Sequence, residues 1–188
     1  MNDKSKVTTG KPKVSGAVHW APKGTAAPTS TSQELGAAFK DLGYVSEDGV
    51  SFENSTTSIK AWGGDTPISI REDTVKLSLM QAKDPNVLGL VYGPENVTTD
   101  AETGEITAKF AADYSLEGVF VFDMIMRGGV AKRIVVPKGS ISEIGSVTYK
   151  DNEAVVYPVT IGCSPDATGM CHYEYLAADT GETGETGE

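Results

Sequence analysis

Residues 42–80 read LGYVSEDGVSFENSTTSIKAWGGDTPISIREDTVKLSLM, and this stretch decides the fold class. Tyr44-Val45 and Val50-Phe52 flank Ser46-Glu47-Asp48-Gly49, and an Asp-Gly at the end of such a turn predicts a hairpin. Trp62-Gly63-Gly64 ends a short strand over 58–62 before a further strand over 66–70. From Asp73 to Gln81 the pattern alternates. Val75, Leu77 and Leu79 share one face, and Thr74, Lys76 and Ser78 share the other. A period of two is the mark of a half-buried strand. The stretch holds strands and turns, with no constellation of catalytic side chains.

The same texture continues on both sides. Residues 1–14 are polar and lysine-rich and read as a flexible arm. Residues 17–20 form a strand candidate, and residues 21–31 a long loop. Thr31-Ser32-Gln33-Glu34 has capping-box spacing, so a short helix is expected with Leu35, Ala38, Phe39 and Leu42 on one face. Asp84-Pro85-Asn86 opens a stronger helix signal that Gly93-Pro94 closes, about two turns long. Residues 94–104 read as a polar loop and 106–111 as a strand.

Gly118 to Arg127, GVFVFDMIMR, is apolar on both faces except at Asp123. Such a strand is buried on both sides, in a core or at a subunit contact. Gly128-Gly129 fits a tight hairpin into a strand over 130–136. Further strands are expected over 140–149, 154–163 and 170–176, with Pro158 placing the second of these at a sheet edge. From Asp179 the chain repeats Gly-Glu-Thr without an apolar residue, which predicts a disordered acidic tail over 179–188. The expected division is therefore an arm over 1–14, one β domain over 15–178, and the tail.

Composition narrows the function. The 188 residues include 21 Gly and 9 Pro, as turn-dense β chains do. No apolar run approaches the ~20 residues of a membrane helix, and no apolar segment follows the N-terminal lysines. Membrane insertion is not expected, and synthesis in a cytoplasm is. The net charge of −10 is uneven. Residues 1–40 carry six lysines against two acids, whereas the remainder holds ten cations against 24 anions. An acidic body does not grip phosphate backbones, which need clustered Lys and Arg.

Little chemistry is encoded. Cys163 and Cys171 read as reduced structural thiols, with a hairpin disulfide or a metal corner including His172 as alternatives. No fourth ligand or C-x2-C pairing supports a metal. His19 and His172 stand outside any motif, and neither glycine pair makes a phosphate loop. No catalytic residue, cofactor or metal is expected. Asp123, between Phe122 and Met124, must be paired if it is buried, through Arg127 or loop amides, or else face a lumen or interface. Lys132-Arg133, the only adjacent basic pair, reads as a solvated face or a contact with an acidic neighbour.

Several of these patterns, taken in order, resemble the major tail tube proteins of long-tailed bacteriophages. They are the LGYVSEDGV segment, Thr56 to Gly64 ending in K-A-W-G-G, the D-P-N-V-L-G-L-V-Y-G segment, and a late V-Y-P-V-T-I strand. The likeness runs over roughly residues 15–176. It implies a mainly β fold of tail-tube type. That is a sandwich or barrel with one short flanking helix, an extended arm and long loops, related in fold to type VI secretion tubes. It implies a structural virion protein that forms stacked hexameric rings, through which DNA passes without specific binding. The implied partners are a tape measure protein, tail terminator and distal tail proteins, and tail assembly chaperones. The residues expected to serve assembly are Lys4, Lys6, Lys11, Lys13, Trp20, Tyr44, Trp62 and Asp65, and the segments are the arm 1–14, the loop 21–31 and the stretch 43–66. The rival expectations are a secreted or surface β-sandwich that binds protein or glycan, and an enzyme on a β scaffold.

Overall fold

The computed structural model describes residues 4–14, 16–59 and 68–178. Trp62, Asp65, the Gly63-Gly64 break and the 179–188 tail lie outside the described residues. The strands are β1 (Gly10–Pro12), β2 (Val18–Pro22), β3 (Lys40–Asp41), β4 (Val45–Ile59), β5 (Ile68–Leu79), β6 (Val97–Thr99), β7 (Ile106–Ala108), β8 (Glu117–Met126), β9 (Ala131–Ile144), β10 (Tyr157–Cys163) and β11 (Tyr173–Leu176). The helix α1 covers Pro85–Tyr92. The protein is mainly β, as its turn density predicts.

One antiparallel sheet runs in the order β3-β2-β8-β9-β10-β5-β4. β1 continues the β2 edge along β8, β11 lies along β9 beyond β10, and β6-β7 is a separate hairpin. The sheet is curled. Phe52 of β4 packs edge-on to Phe122 of β8, four strands away along the sheet. The two edges also approach each other, since β1 and β4 are neighbours without being paired.

β8 is central because its two faces bury two clusters. Phe120 and Phe122 point into the main core with Val75, Leu77, Leu79, Val136, Val159 and Ile161. Val119 and Val121 point the other way, join Val135, and are covered by Ala27, Leu35, Phe39 and Tyr175. The apolar-both-sides pattern is thus satisfied within the chain: a core on one face, the loop between β2 and β3 on the other. Gly128 and Gly129, at φ 82° and 78°, turn β8 into β9, a backbone region that favours glycine.

α1 forms as its caps predict. The Asp84 carboxylate accepts the Asn86 N–H at 2.7 Å, and Pro85 takes the first turn. Val87, Leu88, Leu90 and Val91 enter the main core, and the Tyr114 hydroxyl donates to the Leu90 carbonyl at 3.2 Å. So short a helix depends on this packing.

Four local expectations need correction. The helix expected after Thr31 does not form; the segment is irregular up to β3. Its polar groups are engaged elsewhere. Ser30 Oγ accepts the Gln33 N–H, and the Ser30 and Gln33 carbonyls accept from Arg133. Leu35 and Phe39 cover the sheet in place of lining a helix face. Asp48-Gly49 is not a hairpin turn but a bulge inside one long strand. Val45 pairs with Leu79 and Val50 with Leu77, so three extra residues of β4 are accommodated, with Gly49 at φ 72°. The strands expected over 130–136 and 140–149 are one strand, β9, because Gly139 continues the ladder opposite Gly118. β10 is not an edge strand; it lies between β9 and β5. Pro158 is tolerated because the β9 ladder ends at Val159–Ile144. Its carbonyl still accepts from Gly145 at 2.8 Å, and its missing N–H faces the same side.

Candidate assembly surfaces

The lysine-rich arm is laid along the sheet edge. Lys4–Lys6 makes one 3-10 turn, and β1 pairs Gly10 with Met126 and Pro12 with Met124. A Cβ at Gly10 would lie 2.7 Å from the Met126 sulfur, so a larger residue there would require the end of that flexible side chain to shift. The Thr9 carbonyl accepts from Arg127 and the Asp123 carbonyl accepts from Lys13, both through backbone amides. Lys4, Lys6, Lys11 and Lys13 are all exposed. Among the described residues none of the four forms an ion pair.

The opposite edge is β4, and among the described residues no strand pairs with its outer side. Residues 50–59, VSFENSTTSI, carry a single charge, Glu53, which the Lys76 ammonium holds at 2.7 Å. Tyr44 lies beside the foot of this edge, 53 % exposed, and the Met80 N–H donates to its carbonyl. Long, weakly charged edges are templates for a further strand. Trp20 does not belong to either surface. It is buried in the core, with its indole N–H near Gly118 and without a hydrogen-bond partner among the described residues.

The partner of Asp123 is Arg133, not Arg127. The two form a two-pronged pair directly across β8-β9, at 2.6 and 2.9 Å. Arg133 also donates to the Ser30 and Gln33 carbonyls, so one guanidinium ties the covering loop to the sheet. Lys132 points the other way and meets Glu174 at 2.8 Å, the acidic neighbour expected of the basic pair. Arg133 as a buried group escaped the sequence reading. The signal was available, because Asp123 and Arg133 stand five residues before and after Gly128 in a hairpin.

A second polar cluster was also missed. Asp73 on β5 is buried, faces Cys163 across the ladder, and bonds His172 through Nδ1. Phe52 lies against the His172 ring. Both cysteines are free thiols. Burial, with the Asp73 charge and Cys171 behind it, pushes the Cys163 thiol up to about 12. A thiol so placed stays protonated at neutral pH and is no nucleophile. The cluster ties the loop after β10 to β5 and is built as a fastening. Among the described residues no group of three or more His, Cys, Asp or Glu is placed to hold a metal.

Elsewhere, electrostatics fix loops. The Asp166 carboxyl is held well below its ordinary range by the Thr168 and Tyr173 hydroxyls, which brace the turn before β11. Among the described residues no helix is long and apolar enough to cross a membrane. A family model described as "Phage tail tube protein" matches residues 1–186. No curated protein matches the chain.

Proposed function

Because the chain belongs to the phage tail tube protein family, we propose that it self-associates into stacked hexameric rings that form the conduit for phage DNA. The observation that carries this reading is the family match, which takes in the arm and nearly the whole chain. Two features of the subunit support it. The outer side of β4, unpaired among the described residues, offers hydrogen-bonding groups that ring closure would satisfy. The arm offers exposed lysines to a neighbour whose body is acidic.

In this role the chain has no catalytic task. The acidic body repels phosphates and lets a duplex slide, where clustered lysines would hold it. The partners are other copies of the chain, a tape measure protein in the channel, the tail terminator and distal tail proteins at the ends, and tail assembly chaperones before assembly. Its place is the phage tail, after synthesis in the host cytoplasm.

Negative-stain electron microscopy of the purified chain, with light scattering beside it, tests the proposal. Stacked rings or hollow tubes of uniform width are expected, alone or when seeded with a tail-tip complex. A chain that stays monomeric at high concentration and also ignores the seed overturns it.

A further inference from the structure

Beside the β8-β9 turn lies a surface groove of about 760 Å³. Lys4, Lys6 and Arg127 supply three cations to it, and Val7, Met126 and Leu176 supply an apolar floor. Val7 and Leu176 are mostly exposed, at 77 and 64 %. Among the described residues none of the three cations forms an ion pair. A positive rim around exposed apolar surface calls for an acidic occupant.

The chain carries one within reach. β11 pairs Leu176 with Lys132, and the Ala177 N–H donates to the Ala131 carbonyl, which leaves the chain at the mouth of the groove. Residues 179–188 follow, with Asp179, Glu182, Glu185 and Glu188 spaced every three residues and no cation among them. Ten residues span at most ~35 Å, ample for a site that begins next to Leu176. So short a tether gives an effective concentration in the millimolar range, which favours the chain's own segment over a free one.

We propose that the acidic segment 179–188 docks in the Lys4-Lys6-Arg127 groove of its own chain. Docked there, it covers arm lysines that would otherwise meet a neighbouring subunit. This bearing on assembly rests on the tube reading, but the docking itself does not.

Lysine-acylation footprinting by mass spectrometry tests it, on the full chain and on a chain ending at Ala178, under conditions where light scattering shows monomer. Lys4 and Lys6 are expected to react several-fold faster in the shortened chain, with Lys83 and Lys150 unchanged. Raising the salt to about 1 M, where the screening length falls to ~3 Å, should give the full chain the same increase. The variant Arg127→Ser, checked for an unchanged melting curve, should lose part of the protection. Equal reactivity of Lys4 and Lys6 in the two chains overturns the proposal. Protection that grows with protein concentration also overturns it, by assigning the segment to a neighbouring copy.

Discussion

Phe52 and Phe122 meet edge to face, with ring centroids 5.5 Å apart and planes at 83°. Four strand steps separate β4 from β8, a gap of ~19 Å in a flat sheet at ~4.8 Å per step. The contact therefore measures how far the sheet has curled, and it closes the core across the mouth between the two edges.

Truncating either ring should loosen that closure. Phe122→Ala is expected to cost about 3–5 kcal/mol, and Phe52→Ala less, because Phe52 is only half-buried. In a double-mutant cycle by urea unfolding the pair should couple by about 0.5–1.5 kcal/mol. Additivity of the two would show that the rings do not support each other.

Arg133 is an anchor for the covering loop as well as a partner for Asp123. Arg133→Met should cost about 3 kcal/mol, since it leaves a carboxylate and two carbonyls without their donor. Limited proteolysis should then cut between residues 23 and 39 first. Replacing Asp123 and Arg133 together by apolar residues should recover much of the stability but not the loop protection. A loop equally resistant in Arg133→Met would separate the two roles.

Gly139 is held to glycine by packing. A Cβ there would lie 2.6 Å from the Phe120 ring, so Gly139→Ala should cost about 1–3 kcal/mol by overpacking. Phe120→Leu in the same chain should relieve part of that cost. Thermal unfolding of the single and the double variant checks both statements.

His19 should make the fold acid-sensitive. Burial lowers its pKa from the ordinary 6.5, against the pull of Asp41 and Asp123, and its buried Nδ1 has no hydrogen-bond partner among the described residues. The folded state thus binds its proton later than the unfolded chain. The contribution is fully present above pH 6.5 and is lost as pH falls from there through the lower folded value. His19→Gln should flatten this part of the stability–pH curve, measured by denaturation at several pH values. An unchanged curve would remove His19 as its source.

The arm lysines should act on assembly and not on folding. Replacing Lys4, Lys6, Lys11 and Lys13 by Ser should leave the melting temperature almost unmoved, since all four are exposed. Ring stacking, read as tube length by electron microscopy, should weaken. Tubes of unchanged length and stability would free the arm from that role.

Much of the fold was legible because it rests on local periodicity. The alternation over 73–79, the caps of α1 and the Gly-Gly turn each specify a structure from neighbouring residues alone. Three of the failures have one cause. At Thr31, Asp48-Gly49 and Pro158 the local signal competes with a partner far along the chain: Arg133 for the loop, β5 for the bulge, and the end of the β9 ladder for the proline. The polar pairs Asp123–Arg133 and Asp73–His172 were hidden for the same reason, although the first could have been counted outward from its turn. The assembly surfaces were less legible still. A strand edge is defined by which neighbours a strand lacks, and no single segment carries that information.

The placement of β1 and β2 on β8 has a consequence for how each copy is made. Val18 pairs with Phe122 and Gly10 with Met126, so β1 and β2, once made, must wait for roughly a hundred later residues. At ~5–20 residues per second that wait lasts about 5–20 s. During it, among the described residues, β2-β3, β4-β5 and β6-β7 can close from nearby sequence, and nascent copies on one message offer one another the same unclaimed edges. Timing is therefore a hazard written into the topology, and a holding factor that binds the nascent N-terminal half would act in that interval.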